Sequence, residues 1–106
     1  MNTKRITAIV PIDCLQNLEK YLRNCGVPGV TVETVRGYGE HPNYFRKDLM
    51  QNNAKLILYT VDEKVEEIIA AMTACAKEYG VETGIIAVDS VDRLVRLGEG
   101  TQVTPG

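Results

Sequence analysis

Two rhythms of apolar residues alternate along the chain. Arg5 to Val10 reads RITAIV, a short run rich in β-branched residues that Pro11 stops, and it predicts a strand. Leu15, Leu18, Leu22 and Cys25 then recur at helical spacing, with Glu19, Lys20 and Arg23 on the other face and Asp13 placed to cap the start. Gly26 stands where a left-handed C-terminal cap is expected. Val30 to Arg36 alternates as a second strand, and Lys55 to Thr60, KLILYT, as a third. Thr60 followed by Glu63 has capping-box spacing and opens a second helix. Its stripe is Val65, Ile68, Ile69, Met72, Cys75 or Ala76, and Tyr79, and Gly80 ends it. Ile85 to Val88 reads as a fourth strand, whereas Val91 to Leu97 suits either a short strand or one helical turn.

The order is therefore β-α-β-β-α-β. The halves rhyme, because helix-Gly26-Val27 precedes the second strand as helix-Gly80-Val81 precedes the fourth. This pattern predicts an α+β, ferredoxin-like fold: a four-stranded antiparallel sheet with both helices on one face. The opposite face has no helix to cover it. Ile6, Ala8, Val10 and their neighbours on the third and fourth strands are not all expected to point at helices. A second subunit is the simplest cover for such a face, so an oligomer is expected.

Composition narrows the function. A chain of 106 residues is expected to be one domain, burying roughly 65% of its extended surface. Apolar residues at 44% and charged residues at 25% give the balance of a soluble globular protein. A net charge of −2 argues against sequence-independent nucleic-acid binding, which needs a basic stripe. No apolar run is long enough to span a membrane, and the start MNTKRITAIVPID is too short for a signal-peptide core, so the cytoplasm is the expected compartment. Cys14, Cys25 and Cys75 have no CxxC spacing and read as buried, reduced thiols.

The stretch GVPGVTVETVRGYG holds four of the nine glycines. Gly26 caps a helix, but Gly29 precedes a strand, where a missing Cβ lets a backbone or a ligand approach. Gly37 and Gly39 bracket Tyr38 and predict a bend into a long connection. That connection, about 39–53, exceeds the usual length in a compact domain. Two readings stand, a plain hairpin or a binding loop hung from a glycine-lined cleft. His41 is the lone histidine, so one chain offers no multi-histidine metal site and no metal is assigned. Tyr44 and Phe45 either pack the loop onto its own subunit or contact a partner.

Over about Ile6 to Gly100 the chain resembles the PII-type signalling proteins, through ITAIV, GVPGVTVETVRGYG, KLILYTVDE and ETGIIAVDSVDRLVRLGEG. The resemblance implies a homotrimer that binds adenine nucleotide between subunits and presents a loop to a regulated partner. It implies that the segment like GVPGVTV contacts base and ribose, through Gly29, Val30 and Thr31. The glycine-rich stretch matched by Glu82, Thr83 and Gly84 would wrap the phosphates, with Arg96 in the phosphate-binding group. Gly37, Gly39, Glu40, Tyr59 and Thr60 complete the implied nucleotide set. His41, Asn43, Tyr44, Phe45 and Arg46 make the implied partner loop.

Departures from the family pattern shape the expected ligand. The loop is about seven residues shorter, and EHPNYFRKDLM does not match the modified region, so nucleotidylation of Tyr44 is not expected. Asn53 replaces the lysine that holds 2-oxoglutarate, and Glu40 and His41 replace the loop's glutamine region, which weighs against a dicarboxylate co-ligand. Ile85 and Gly98 stand where two phosphate-binding cations are expected, favouring ADP or AMP over ATP. Short-looped relatives associated with carboxysomes and inorganic-carbon transport resemble the chain more, through GYGEHPNYF. A bicarbonate transporter is therefore the expected partner.

Four rival readings compete with this one. Acylphosphatase shares the architecture but needs an arginine loop after strand one, where VPIDCL supplies none, and no nucleophile–histidine group is available, so no enzyme is expected. Trimeric copper-tolerance proteins and metal-efflux partners remain an alternative, and a 2-oxoglutarate-responsive nitrogen regulator is a second. RNA binding fails because KLILYT offers one aromatic where stacking platforms need two or three.

Overall fold

The computed structural model describes residues 2–37 and 51–105. The loop residues Tyr38 to Met50, and with them Gly39, Glu40, His41, Asn43, Tyr44, Phe45 and Arg46, lie outside the described part.

Strands β1 (Thr3–Pro11), β2 (Thr31–Gly37), β3 (Gln51–Val61) and β4 (Ile85–Val91) form one sheet in the order β2-β3-β1-β4. All three pairings are antiparallel. Helices α1 (Leu15–Asn24) and α2 (Val65–Glu78) follow β1 and β3, giving the expected β-α-β-β-α-β order. Between them, Ile6, Ala8, Leu56, Leu58, Leu18, Leu22, Ile68, Met72 and Cys75 form the buried core. Each large apolar side chain buried here stabilises by roughly 1.5–3 kcal/mol relative to exposure.

Both helices end alike. Gly26 (φ 87°) and Gly80 (φ 66°) adopt the left-handed conformation expected of caps. The Val27 N–H donates to Leu22 O at 3.0 Å, and the Val81 N–H donates to Ala76 O at 2.8 Å. These six-to-one bonds, with Gly26 N–H to Arg23 O and Gly80 N–H to Lys77 O, make two Schellman motifs.

The helix starts differ from expectation. Neither Asp13 nor the Thr60–Glu63 pair makes a side-chain cap. Each strand instead enters its helix through a 3₁₀ turn, Ile12–Cys14 or Asp62–Lys64. Thr60 is still in β3 with a buried side chain, which holds its hydroxyl away from any helix end. Tyr79 lies just past α2 and is exposed, not part of its buried stripe.

Three further boundaries move. β3 begins at Gln51, so the long connection ends before residues 51–53 rather than after them. Val91 closes β4, and Val95–Arg96 (β5) pairs with Thr101–Gln102 (β6) in a small hairpin that takes in most of the expected C-terminal tail. The register also reassigns the sheet faces. Ile6, Ala8 and, at the margin, Val10 do face the helices, because they share that face with the buried Leu56 and Leu58. The uncovered face carries Arg5, Thr7, Ile9, Ile57, Tyr59, Ile85 and Ala87. Among the described residues no helix is long and apolar enough to cross a membrane.

Candidate functional site

Gly29 lies at the entry to β2, which is an edge strand of the sheet. Its φ is not in the left-handed region, and a Cβ built on it would meet nothing within 4 Å. Neither conformation nor packing among the described residues therefore requires a glycine there. Beside it, Val27, Pro28, Gly29 and Val30 line an open pocket of about 310 Å³ with Glu19 and Arg23 of α1. Glu19 and Arg23 were absent from the sequence-derived set. Their signal was present in the i,i+4 charge spacing on the outer face of α1, one turn before Gly26.

Gly84 has the opposite character. Its φ is +121°, and a Cβ there would lie 2.7 Å from the Ile9 carbonyl oxygen of β1. This glycine is required by close packing of the 81–84 turn on the central strand. Glu82 is exposed, whereas Thr83 and Gly84 are half-buried. The turn forms the rim of an apolar cavity of about 270 Å³ that reaches in to Val10, Cys14, Met72 and Ala76.

The two glycine segments lie on opposite edges of the sheet. Thr31 stands in the row Thr31–Ile57–Thr7–Ala87, and Ile85 in the row Glu33–Lys55–Ile9–Ile85. Three inter-strand spacings, about 14 Å, separate β2 from β4. Gly37 pairs with Gln51 at the loop end of the sheet, with Gly84 near the same end but at the other edge. Arg96 belongs to the hairpin beyond the far end of β4, whose residues 85 to 91 span about 20 Å. Among the described residues, one chain thus carries the expected site residues in separate groups and does not unite them into one cleft.

Thr60 is buried and Tyr59 is 39% exposed on the uncovered sheet face. Arg96 is exposed, and its Nε lies 3.8 Å from Glu99 Oε2. A surface pair of this length holds its arginine weakly. Asn53 is 2% exposed in β3, opposite Pro11 and Val35.

The uncovered face carries two ion pairs. Arg5 Nε donates to Asp89 Oδ1 at 3.1 Å, and Arg5 Nη2 donates to Asp89 Oδ2 at 2.7 Å, a two-point contact across β1 and β4. The bond to Asp89, then its charge, raises the Arg5 pKa further above its already high value. Lys55 Nζ lies 3.6 Å from Glu33 Oε1. The row Ile57, Thr7 and Ala87 lies between the two pairs, and Ile9 and Ile85 continue the row of Lys55. The face is apolar in its middle, with its charges already matched, as a surface suited to burial requires.

All three cysteines are free thiols. Cys14 and Cys75 are buried as expected, but Cys25, at the end of α1, is only half-buried. Burial raises the pKa of each above the usual thiol value, so none is a reactive thiolate. Among the described residues no group of three or more His, Cys, Asp or Glu side chains is placed to hold a metal.

Residues 3–101 match the family model described as nitrogen regulatory protein P-II. The chain is 29% identical to a nitrogen regulatory protein P-II of Pasteurella multocida (strain Pm70), over 93% of this chain and 95% of the relative. It is likewise 29% identical to nitrogen regulatory protein P-II 2 of Methanothermobacter thermautotrophicus, over 92% of this chain and 90% of the relative. The fold matches the crystal structure of Arabidopsis thaliana PII bound to citrate, with a TM-score of 0.78 and 25% identity, covering 95% of this chain and 85% of that one.

Proposed function

The chain belongs to the nitrogen regulatory protein P-II family and is a regulatory protein rather than an enzyme, and we propose that it works as a homotrimeric switch. An adenine nucleotide binds between neighbouring copies, and the 38–50 connection carries its presence to a partner. The observation that supports this reading most is the division of the site. Gly29, Val30 and Thr31 stand on one sheet edge, Glu82 to Gly84 on the other, and Arg96 beyond the far end. A β2 edge of one copy beside a β4 edge of the next would bring such groups together. Because the edges differ, the contact is head-to-tail, and it closes into a ring when the rotation allows. The uncovered face, with Arg5–Asp89 and Lys55–Glu33 paired in advance, would pack inside that ring.

Gly29 fits a position where a ligand approaches the backbone, since among the described residues nothing occupies its Cβ space. The phosphate end has Arg96 and the backbone N–H groups of the 82–84 turn, while Ile85 and Gly98 offer no charge. This set favours ADP or AMP over ATP, because charge-assisted contacts to phosphate are the strong ones. The nucleotide shifts the connection between states only by its differential affinity for them. An inorganic-carbon transporter such as one for bicarbonate is the partner that the short connection favours.

A second reading rests on the relatives, which are nitrogen regulatory proteins by name. A 2-oxoglutarate co-ligand needs a cation, and Asn53 is a buried neutral amide at the root of the connection. Isothermal titration with AMP, ADP and ATP, each with and without Mg²⁺, tests both readings. Micromolar binding, roughly −8 kcal/mol, with ADP or AMP tightest supports the first. Preference for Mg-ATP with 2-oxoglutarate supports the second. No heat with any nucleotide refutes both and favours a metal-handling trimer.

A further inference from the structure

Leu97 is 98% exposed. It sits in the turn between β5 and β6, where Gly100 (φ 64°) reverses the chain. The hairpin is stapled by Val103 N–H to Leu94 O and Gly100 N–H to Arg96 O, both 2.8 Å, so the leucine is held out on an ordered turn. Val95, two residues earlier, is also exposed, so Arg96 is flanked by two outward apolar side chains.

A receptor for such a knob exists elsewhere on the molecule. The cavity behind the 82–84 turn is walled by Val10, Cys14, Met72, Ala76 and Ile86, with Thr83 at its rim. Knob and cavity are about the length of β4 apart within one chain, since the cavity opens at Ile85 and the hairpin follows Val91. A chain does not fill its own cavity with its own hairpin at that separation.

We infer that Leu97 of one copy seats in the apolar cavity behind Glu82–Gly84 of the next copy, locking the ring. The inference rests on the head-to-tail assembly proposed above and adds the contact that fixes its direction. If Arg96 of one copy reaches phosphates held by the 82–84 turn of its neighbour, the adjacent Leu97 arrives at the mouth of the cavity behind that same turn. One hairpin then carries both a cation for the ligand and an apolar anchor for the assembly. Ligand binding and subunit locking become coupled through Arg96 and Leu97.

The test is cross-linking of a Glu82→Cys, Leu97→Cys variant in a Cys14→Ala, Cys25→Ala, Cys75→Ala background, with native mass from light scattering. Knob and cavity on different copies predict a ladder of covalent dimer and trimer under a short bismaleimide, ending at the trimer. Leu97→Cys without Glu82→Cys gives no trimer. Leu97→Ala, a change at a fully exposed position that leaves the monomer fold intact, raises the concentration for half-dissociation at least tenfold. An oligomeric native mass with no ladder, and with unchanged dissociation in Leu97→Ala, overturns this contact while leaving the assembly standing. A monomeric native mass for the unmodified chain overturns the assembly itself, and the contact with it.

Discussion

Gly84 and Gly29 make opposite predictions for the same substitution, and the pair separates packing from ligand binding. In Gly84→Ala the new Cβ would lie 2.7 Å from Ile9 O, with φ at +121°. A side chain held in that backbone region costs of order 1–3 kcal/mol. The close contact adds about 1–3 kcal/mol, since β1 is hydrogen-bonded on both sides and yields little. A total loss of about 2–6 kcal/mol is a large part of the usual 5–15 kcal/mol of a domain. At about 4–8 °C per kcal/mol for a domain near this size, Tm falls by roughly 10 °C or more. Gly29→Ala meets nothing within 4 Å and has no positive φ, so stability holds or rises by about 0.4–1 kcal/mol through the unfolded state. Nucleotide affinity should nonetheless drop. The assay is thermal and urea unfolding by circular dichroism at one fixed protein concentration, followed by nucleotide titration of each variant. Unchanged stability in Gly84→Ala refutes the close-packing argument. Unchanged affinity in Gly29→Ala refutes the reason given for a glycine at the entry to β2.

Leu56→Ala, at a position with 0% exposure in the middle of the sheet, should cost about 2–5 kcal/mol in urea unfolding, and Val32→Ala at the exposed edge far less. A thiol reagent on the native protein should modify half-buried Cys25 first, with Cys14 and Cys75 protected, as read by mass spectrometry of digests over time. The buried thiols also give a pH dependence. Their folded pKa values lie above the unfolded value near 8.5, so their contribution is complete below that pH and is lost as pH rises through the folded values. The urea midpoint should therefore fall as pH rises above about 8.5, and fall less in a Cys14→Ala, Cys75→Ala variant. Arg5→Ala leaves Asp89 unmatched on the uncovered face, and sedimentation should show smaller species if that face is buried between copies.

The elements that the sequence revealed best were those with a local physical signature. The stripes of α1 and α2 and the glycines that end them follow from helical spacing and positive φ, both legible one residue at a time. The helix starts misled because Asp13 and Thr60–Glu63 have cap-like spacing, while the chain leaves each strand through a 3₁₀ turn. Burial of Thr60 belongs to strand register, which no local spacing encodes. The same holds for the face of β1 that meets the helices. Alternation shows that RITAIV has two faces, but only pairing with Leu56 and Leu58 tells which one is covered. For the site, Gly29 and Gly84 were both legible as glycines with a reason. Their different reasons, open space and a backbone contact, needed three dimensions.

The placement of β1 between β3 and β4 has a consequence for how the protein is made. β1 precedes β2, β3 and β4 in the chain, yet its second neighbour is β4, and Lys4 reaches Ser90 Oγ across 86 positions of sequence. A nascent chain that has emerged only to Gly80 can pair β1 with β3 but leaves its other row of N–H and C=O groups bare. Such a row is a template for pairing with any neighbouring chain. Many of the contacts are also distant in sequence, which slows folding. The sheet therefore closes only once β4 has been made, and a message truncated before Ile85 should yield a product that aggregates rather than a smaller working domain.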